Sequence, residues 1–162
     1  MKTLEQLTEL SKMYLVAYKQ MNHRFDSWRN TVYPMVKEIL QEIVQEINSQ
    51  NEYFKDRLFI EGAKPDGSIC LHSKFVMVQG AEYGTDEKGF AIYFKPKTNG
   101  KIHVYTHGHT LYGNAETTNI ERIDDPLTIT RDKIINMVYE AMDLAYKTSY
   151  LACDDIDCDI PF

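Results

Sequence analysis

Ten apolar residues, Leu4, Leu7, Tyr14, Tyr18, Met21, Phe25, Trp28, Val32, Met35 and Ile39, follow one another at spacings of three and four, with only Ser11 breaking the series. That spacing sets them along one stripe of a helix. Pro34 lacks a backbone donor and clashes with the preceding turn, so the helix should kink or split there, with Thr31 as a cap for the second piece. The second piece carries Val36, Leu40, Ile43, Val44 and Ile47 and should end near Asn48 to Asn51. A stripe this long has to be covered. The preferred reading is that it packs on a sheet; the alternative is a homodimer through the N-terminal helix.

From about Arg57 to Ile123 the chain reads as β. Arg57–Glu61 is a short strand, and Gly62-Ala63-Lys64-Pro65-Asp66-Gly67 is a turn. Ser68–Gln79 is one long strand or two with a bend, and Gly80–Gly89 is a polar loop. Phe90–Lys95 and Lys101–His109 form a hairpin. A three-residue loop, Thr98-Asn99-Gly100 with the glycine left-handed, sets Lys97 opposite Lys101. Phe94 then faces Val104 and Ile92 faces Thr106, which gives one consistently apolar side. The other side pairs Tyr93 with Tyr105, Lys95 with His103 and Ala91 with His107. Thr117–Ile123 is a last strand, at an edge, broken by Asp124-Asp125-Pro126.

Thr130 caps a C-terminal helix with Asp132 in its first turn. Ile134, Ile135, Val138, Ala141, Met142 and Ala145 form the buried stripe, Tyr139, Tyr146 and Tyr150 a neighbouring one, and the helix should fade around Leu151. The expected class is α+β: a long N-terminal helix, kinked or split near Pro34, an antiparallel meander of four or five strands, a C-terminal helix and an acidic tail. A chain of 162 residues fits one such domain, 1–162, with 152–162 as the tail.

Composition narrows the function classes. With 43% hydrophobic and 26% charged residues the chain can build a core. A mean hydropathy of −0.42 and the absence of a long apolar run argue against a membrane span. The net charge is −6. Setting aside Asp154, Asp155, Asp157 and Asp159, 18 basic residues face 20 acidic ones, a balance of −2. A near-neutral body argues against tight duplex binding, which needs many phosphate contacts. Single strands remain open to it, because base stacking supplies part of their binding energy. The sparse cysteines, Cys70, Cys153 and Cys158, and a start, MKTLEQLTEL, without an apolar leader point to a cytoplasmic protein.

No phosphate-loop, dinucleotide, zinc-protease or nucleophile-elbow motif is present, and no cofactor is called for. Asp155-Ile156-Asp157-Cys158-Asp159 alternates carboxylates as a calcium loop does but lacks its glycine and closing glutamate. His103, His107 and His109 alternate along one strand and are weak metal candidates, enough for a metal-dependent enzyme as a second alternative. No catalytic residue can be named. Tyr93, Lys95, His103, Tyr105 and His107 form an aromatic, weakly basic face suited to stacking the bases of a single strand.

The last residues are Asp154-Asp155-Ile156-Asp157-Cys158-Asp159-Ile160-Pro161-Phe162. Phe162 offers an apolar anchor, Pro161 restricts the chain and lowers the ordering cost, and the acids suit a basic rim. This segment resembles the acidic tail of bacterial single-stranded DNA-binding proteins, which ends in the same Ile-Pro-Phe. The resemblance covers nine residues. It implies protein partners that have an apolar pocket beside Arg and Lys, with Asp154, Asp155, Asp157, Asp159, Ile160, Pro161 and Phe162 as the binding segment. The expected function is a non-enzymatic accessory protein of nucleic-acid metabolism that binds single strands weakly, or recruits replication and repair proteins through the tail. The first alternative is a protein–protein interaction module of the immunity, inhibitor or chaperone type.

Overall fold

A computed structural model describes residues 1–52, 54–73, 76–78, 85–87, 89–109 and 121–147. The chain opens with one helical rod. Helix α1 spans Leu4–Ser27, a π turn follows at Trp28–Val32, and α2 spans Tyr33–Gln50. Thr3 starts the rod with a reciprocal capping box: its hydroxyl accepts from the Gln6 backbone N–H, and the Gln6 side chain accepts from the Thr3 N–H.

Near Pro34 the rod divides into α1 and α2 through the π turn, but the second piece has no new cap. Thr31 lies inside the π turn, and α2 begins from a helical Val32 with no side-chain cap. The Tyr33 N–H bonds the Trp28 carbonyl, five residues back. Proline crowds the carbonyl four residues before it, and the wider turn makes room for the ring without ending the rod.

Strands β1 (Leu58–Glu61), β2 (Ile69–Ser73), β5 (Gly89–Pro96), β6 (Ile102–His109) and β7 (Glu121–Asp124) form an antiparallel sheet in that order. Strands β3 (Val76–Val78) and β4 (Thr85–Glu87) pair separately as a hairpin between β2 and β5, partly within the segment expected to be a polar loop. The architecture is α+β, a meander with one inserted hairpin and helices on one face. In the central hairpin Phe94 opposes Val104, Ile92 opposes Thr106 and Tyr93 opposes Tyr105. Its tip is closed by Lys97 N–H to Lys101 O at 2.7 Å, with Gly100 left-handed at φ 78°. The register follows the three-residue loop read from the sequence.

The core lies between the sheet and the helices. Val36, Ile39 and Leu40 of α2, and Ile134, Met137, Val138 and Ala141 of α3 (Arg131–Lys147), meet Ile69, Leu71, Ile92, Phe94 and Val104 of the sheet. The Thr130 hydroxyl accepts from Lys133 N–H and caps α3 as expected. The α3 stripe needs one correction: Met137 is buried, whereas Ile135 is turned outward. The α1 stripe needs a larger one. Its first four turns do not pack on the sheet, and Leu4, Leu7, Tyr14 and Tyr18 all stay exposed. Contact begins at Met21, whose carbonyl lies against Gly100, and Arg24 fixes the junction by donating to Asp125 Oδ2 at 3.2 Å and to the Asn99 carbonyl at 3.3 Å.

Candidate nucleic-acid interface

The strand pleat sends Cys70, Tyr93, Lys95, His103 and Tyr105 to the face of the sheet opposite the helices. None of the described helices packs on that face. The tyrosine rings stack across β5 and β6 with centroids 4.9 Å apart and planes 10° apart. His103 adds a third ring, 4.5 Å from Tyr105, and its Nε2 lies 2.6 Å from Glu121 Oε1. On the Tyr93 side the Lys64 ammonium sits 5.8 Å from the ring centroid. The expected platform is thus a column of rings standing on the sheet, with a cation at one end, rather than a flat surface.

The column rests on Cys70, which opposes Tyr93 in the register and is buried. Burial pushes the Cys70 thiol up to about 12, so it stays protonated and is a poor nucleophile. Burial, followed by the neighbouring Cys70, also pushes the Tyr93 phenol up to about 12 and raises Tyr105. Both rings stay neutral at physiological pH, so they bring no negative charge to the face. Lys95 is engaged by Asp66, Nζ to Oδ2 at 3.7 Å. Asp66 is itself held below the ordinary carboxylate range, first by the Ser68 hydroxyl and then by the Ser68 N–H. Lys95 is thereby partly neutralised, a detail the strand pattern alone does not reveal.

Beside the column lies a groove of about 450 Å³ that the sequence reading missed. The π turn and the Gly62–Gly67 turn form its walls. Phe25 and Tyr33 supply aromatic surface over the buried Trp28, and Arg29, Lys37 and Lys64, the last paired with Glu61 at 3.2 Å, supply charge. Trp28 Nε1 donates to the Gly67 carbonyl at 3.0 Å, and the Tyr33 hydroxyl accepts from Ala63 N–H at 2.7 Å. Those two bonds pin the turn to the rod. Gly62 is required for this approach, because a Cβ there would stand 2.6 Å from the Tyr33 hydroxyl. Ala63 sits at φ 55°, a left-handed strain that an alanine tolerates only when its surroundings hold it. Arg29 and Lys37 have no acidic partner among the described residues. Lys64 lines the groove and also caps the ring column, so the two features are continuous. The signal in the sequence was Trp28, Arg29 and Tyr33 just before Pro34, but only folding sets them against a turn thirty residues later.

No family model, curated protein or solved structure matches the chain.

The remaining candidates fare unevenly. The register sets His107 opposite Ala91 on the same face as His103, with His109 two residues further along β6, but the side chains of His107 and His109 lie outside the described residues. Among the described residues no three His, Cys, Asp or Glu side chains gather where an ion would sit. The tail, Asp154 to Phe162, lies outside the described residues. Among them no helix is long and apolar enough to cross a membrane.

Proposed function

We propose that the chain is a non-enzymatic accessory protein of nucleic-acid metabolism. It contacts single strands along the groove and ring column, and recruits replication or repair proteins through the Asp-Ile-Pro-Phe tail. The observation that carries the first half is the position of Lys64, a cation shared by an aromatic groove and an aromatic column. Bases meeting such surfaces gain ~1–3 kcal/mol each, and Arg29 and Lys37 would meet the phosphates between them, Lys64 being paired with Glu61. Two phosphate contacts on a body near neutrality make the binding weak and salt-sensitive, with a log–log slope of about −1.5. The tail half rests on the resemblance of residues 154–162 to the tails of bacterial single-stranded DNA-binding proteins.

Fluorescence anisotropy with labelled oligo-dT tests the first half. The wild type should bind at low salt with that slope, and Arg29→Ala combined with Lys37→Ala should weaken binding about tenfold or more. An absence of binding by the wild type ends it. Pull-downs with and without residues 160–162 test the second half, and identical partners in both samples end that.

The interaction-module reading keeps one specific observation in its favour, the uncovered apolar arm of α1. A cytoplasmic location belongs with either proposal.

A further inference from the structure

Between Leu4 and Tyr18 the arm presents eight exposed apolar side chains, from Leu4 at 81% and Tyr14 at 72% to Leu10 at 48%. None of the residues of α1 is buried. A helix of this kind draws most of its stability from packing its apolar face, and here the face meets nothing among the described residues. Six of these, Leu4, Leu7, Leu10, Tyr14, Leu15 and Tyr18, lie along one side; at roughly 150–250 Å² for a whole aromatic side chain and somewhat less for Leu, discounted for their partial exposure, the patch is on the order of 600 Å². That stands at the top of the range for the largest apolar patch of an ordinary monomer and approaches what each partner contributes to a standard interface.

We infer that the arm pairs with the same arm of a second copy of the chain, antiparallel, with Leu7 level with the partner's Tyr18. Written as heptads, the arm puts Leu4, Ser11 and Tyr18 at a and Leu7, Tyr14 and Met21 at d. Phe25 and Trp28 continue the series, but Trp28 is buried in the chain's own core and Phe25 is half-buried at the groove. Residue sizes decide the direction. In a parallel pair like meets like, so the Ser11 layer is empty and the Tyr14 layer overfull. Reversing one helix sets Ser11 beside the partner's Tyr14, Leu7 beside the partner's Tyr18 and Leu4 beside the partner's Met21. Every layer then matches a smaller with a larger side chain, as a close-packed core requires.

The helix dipoles favour the same direction, since they oppose one another only in the antiparallel pair. Length agrees as well. The paired layers run from residue 4 to residue 21, about 27 Å of helix, and stop where the Met21 carbonyl meets the chain's own Gly100. Leu10, Leu15 and Ala17 border the seam. Met13 and Val16 remain on the outer side as scattered surface apolar residues, which is ordinary.

The test uses the full chain with Cys153→Ser and Cys158→Ser; Cys70 is buried and stays. Leu7→Cys and Tyr18→Cys are made separately, mixed and oxidised. The mixture should give a crosslinked dimer and each variant alone should not. Self-crosslinking of Leu7→Cys, or no crosslink in the mixture, overturns the inference. Light scattering of the wild type should give twice the 18.9 kDa chain mass or an even multiple of it. A monomer overturns the inference, including a monomer whose arm is covered by another segment of its own chain. Tyr14→Asp should weaken self-association on the order of 100-fold while the body unfolds as before, because none of the described residues of the body packs on that 72%-exposed side chain. Unchanged association of this variant overturns the inference too.

Discussion

The two halves of the N-terminal rod carry the same kind of apolar series and meet opposite fates. In α2, Val36, Ile39 and Leu40 are buried beneath the sheet and α3; in α1, Leu4 through Tyr18 project into solvent. Spacing states that a helix has an apolar face, but it says nothing of what covers that face. The division falls at Met21 to Trp28, where the hairpin tip, Asp125 and the Gly62–Gly67 turn all touch the rod. N-terminal to that collar the helix is an arm, and C-terminal to it the helix is a wall of the core.

The largest expected effect sharpens this contrast by removing one ring from each side. Phe94→Ala empties a fully buried site and should cost about 3–5 kcal/mol of stability, read from urea unfolding. Tyr14→Ala, deleting a ring that is 72% exposed, should leave that unfolding transition in place and change only the association state. Equal losses would mean the arm belongs to the body after all.

A smaller effect tests the collar. Gly100 adopts φ 78°, and a Cβ there would stand 2.7 Å from Arg24 Cβ and 2.9 Å from the Met21 carbonyl. Gly100→Ala should destabilise by about 2 kcal/mol and reorient the arm relative to the body. An unchanged thermal midpoint would show that the hairpin tip does not hold the rod.

The smallest effect at neutral pH emerges on titration. The Cys70 thiol and Tyr93 phenol are both pushed up to about 12 in the folded chain, from ordinary values of 9.0 and 10.0. Both groups lose their protons earlier in the unfolded chain, so unfolding releases protons and stability falls as pH rises from about 9 to 12. This stabilisation is fully present below pH 9. Tyr93→Phe should make the alkaline loss shallower, and an unchanged slope would show that the phenol titrates alike folded and unfolded.

Much of the fold was legible from residues close in sequence. The Asn99-Gly100 turn gave the hairpin register, Thr130 gave the α3 cap, and the strand pattern gave the pairing of Tyr93 with Tyr105. The candidate site was half legible. Alternation placed Tyr93, His103 and Tyr105 on one face, but it did not reveal that their rings stack on one another or that Asp66 engages Lys95. In the sequence Trp28 belongs to the apolar stripe and nothing local singles out Arg29, Tyr33 or Lys37, because their partner turn lies far along the chain.

Pleat, helical turn and cap repeat over two to four residues, so the sequence alone settled the element types and the facing pairs of the central hairpin. Burial and convergence depend on which distant segment arrives, and that followed from the summed packing of the whole core. Only the tertiary structure could therefore bury Leu40, leave Leu7 bare, and bring Lys64 against both the rod and the sheet.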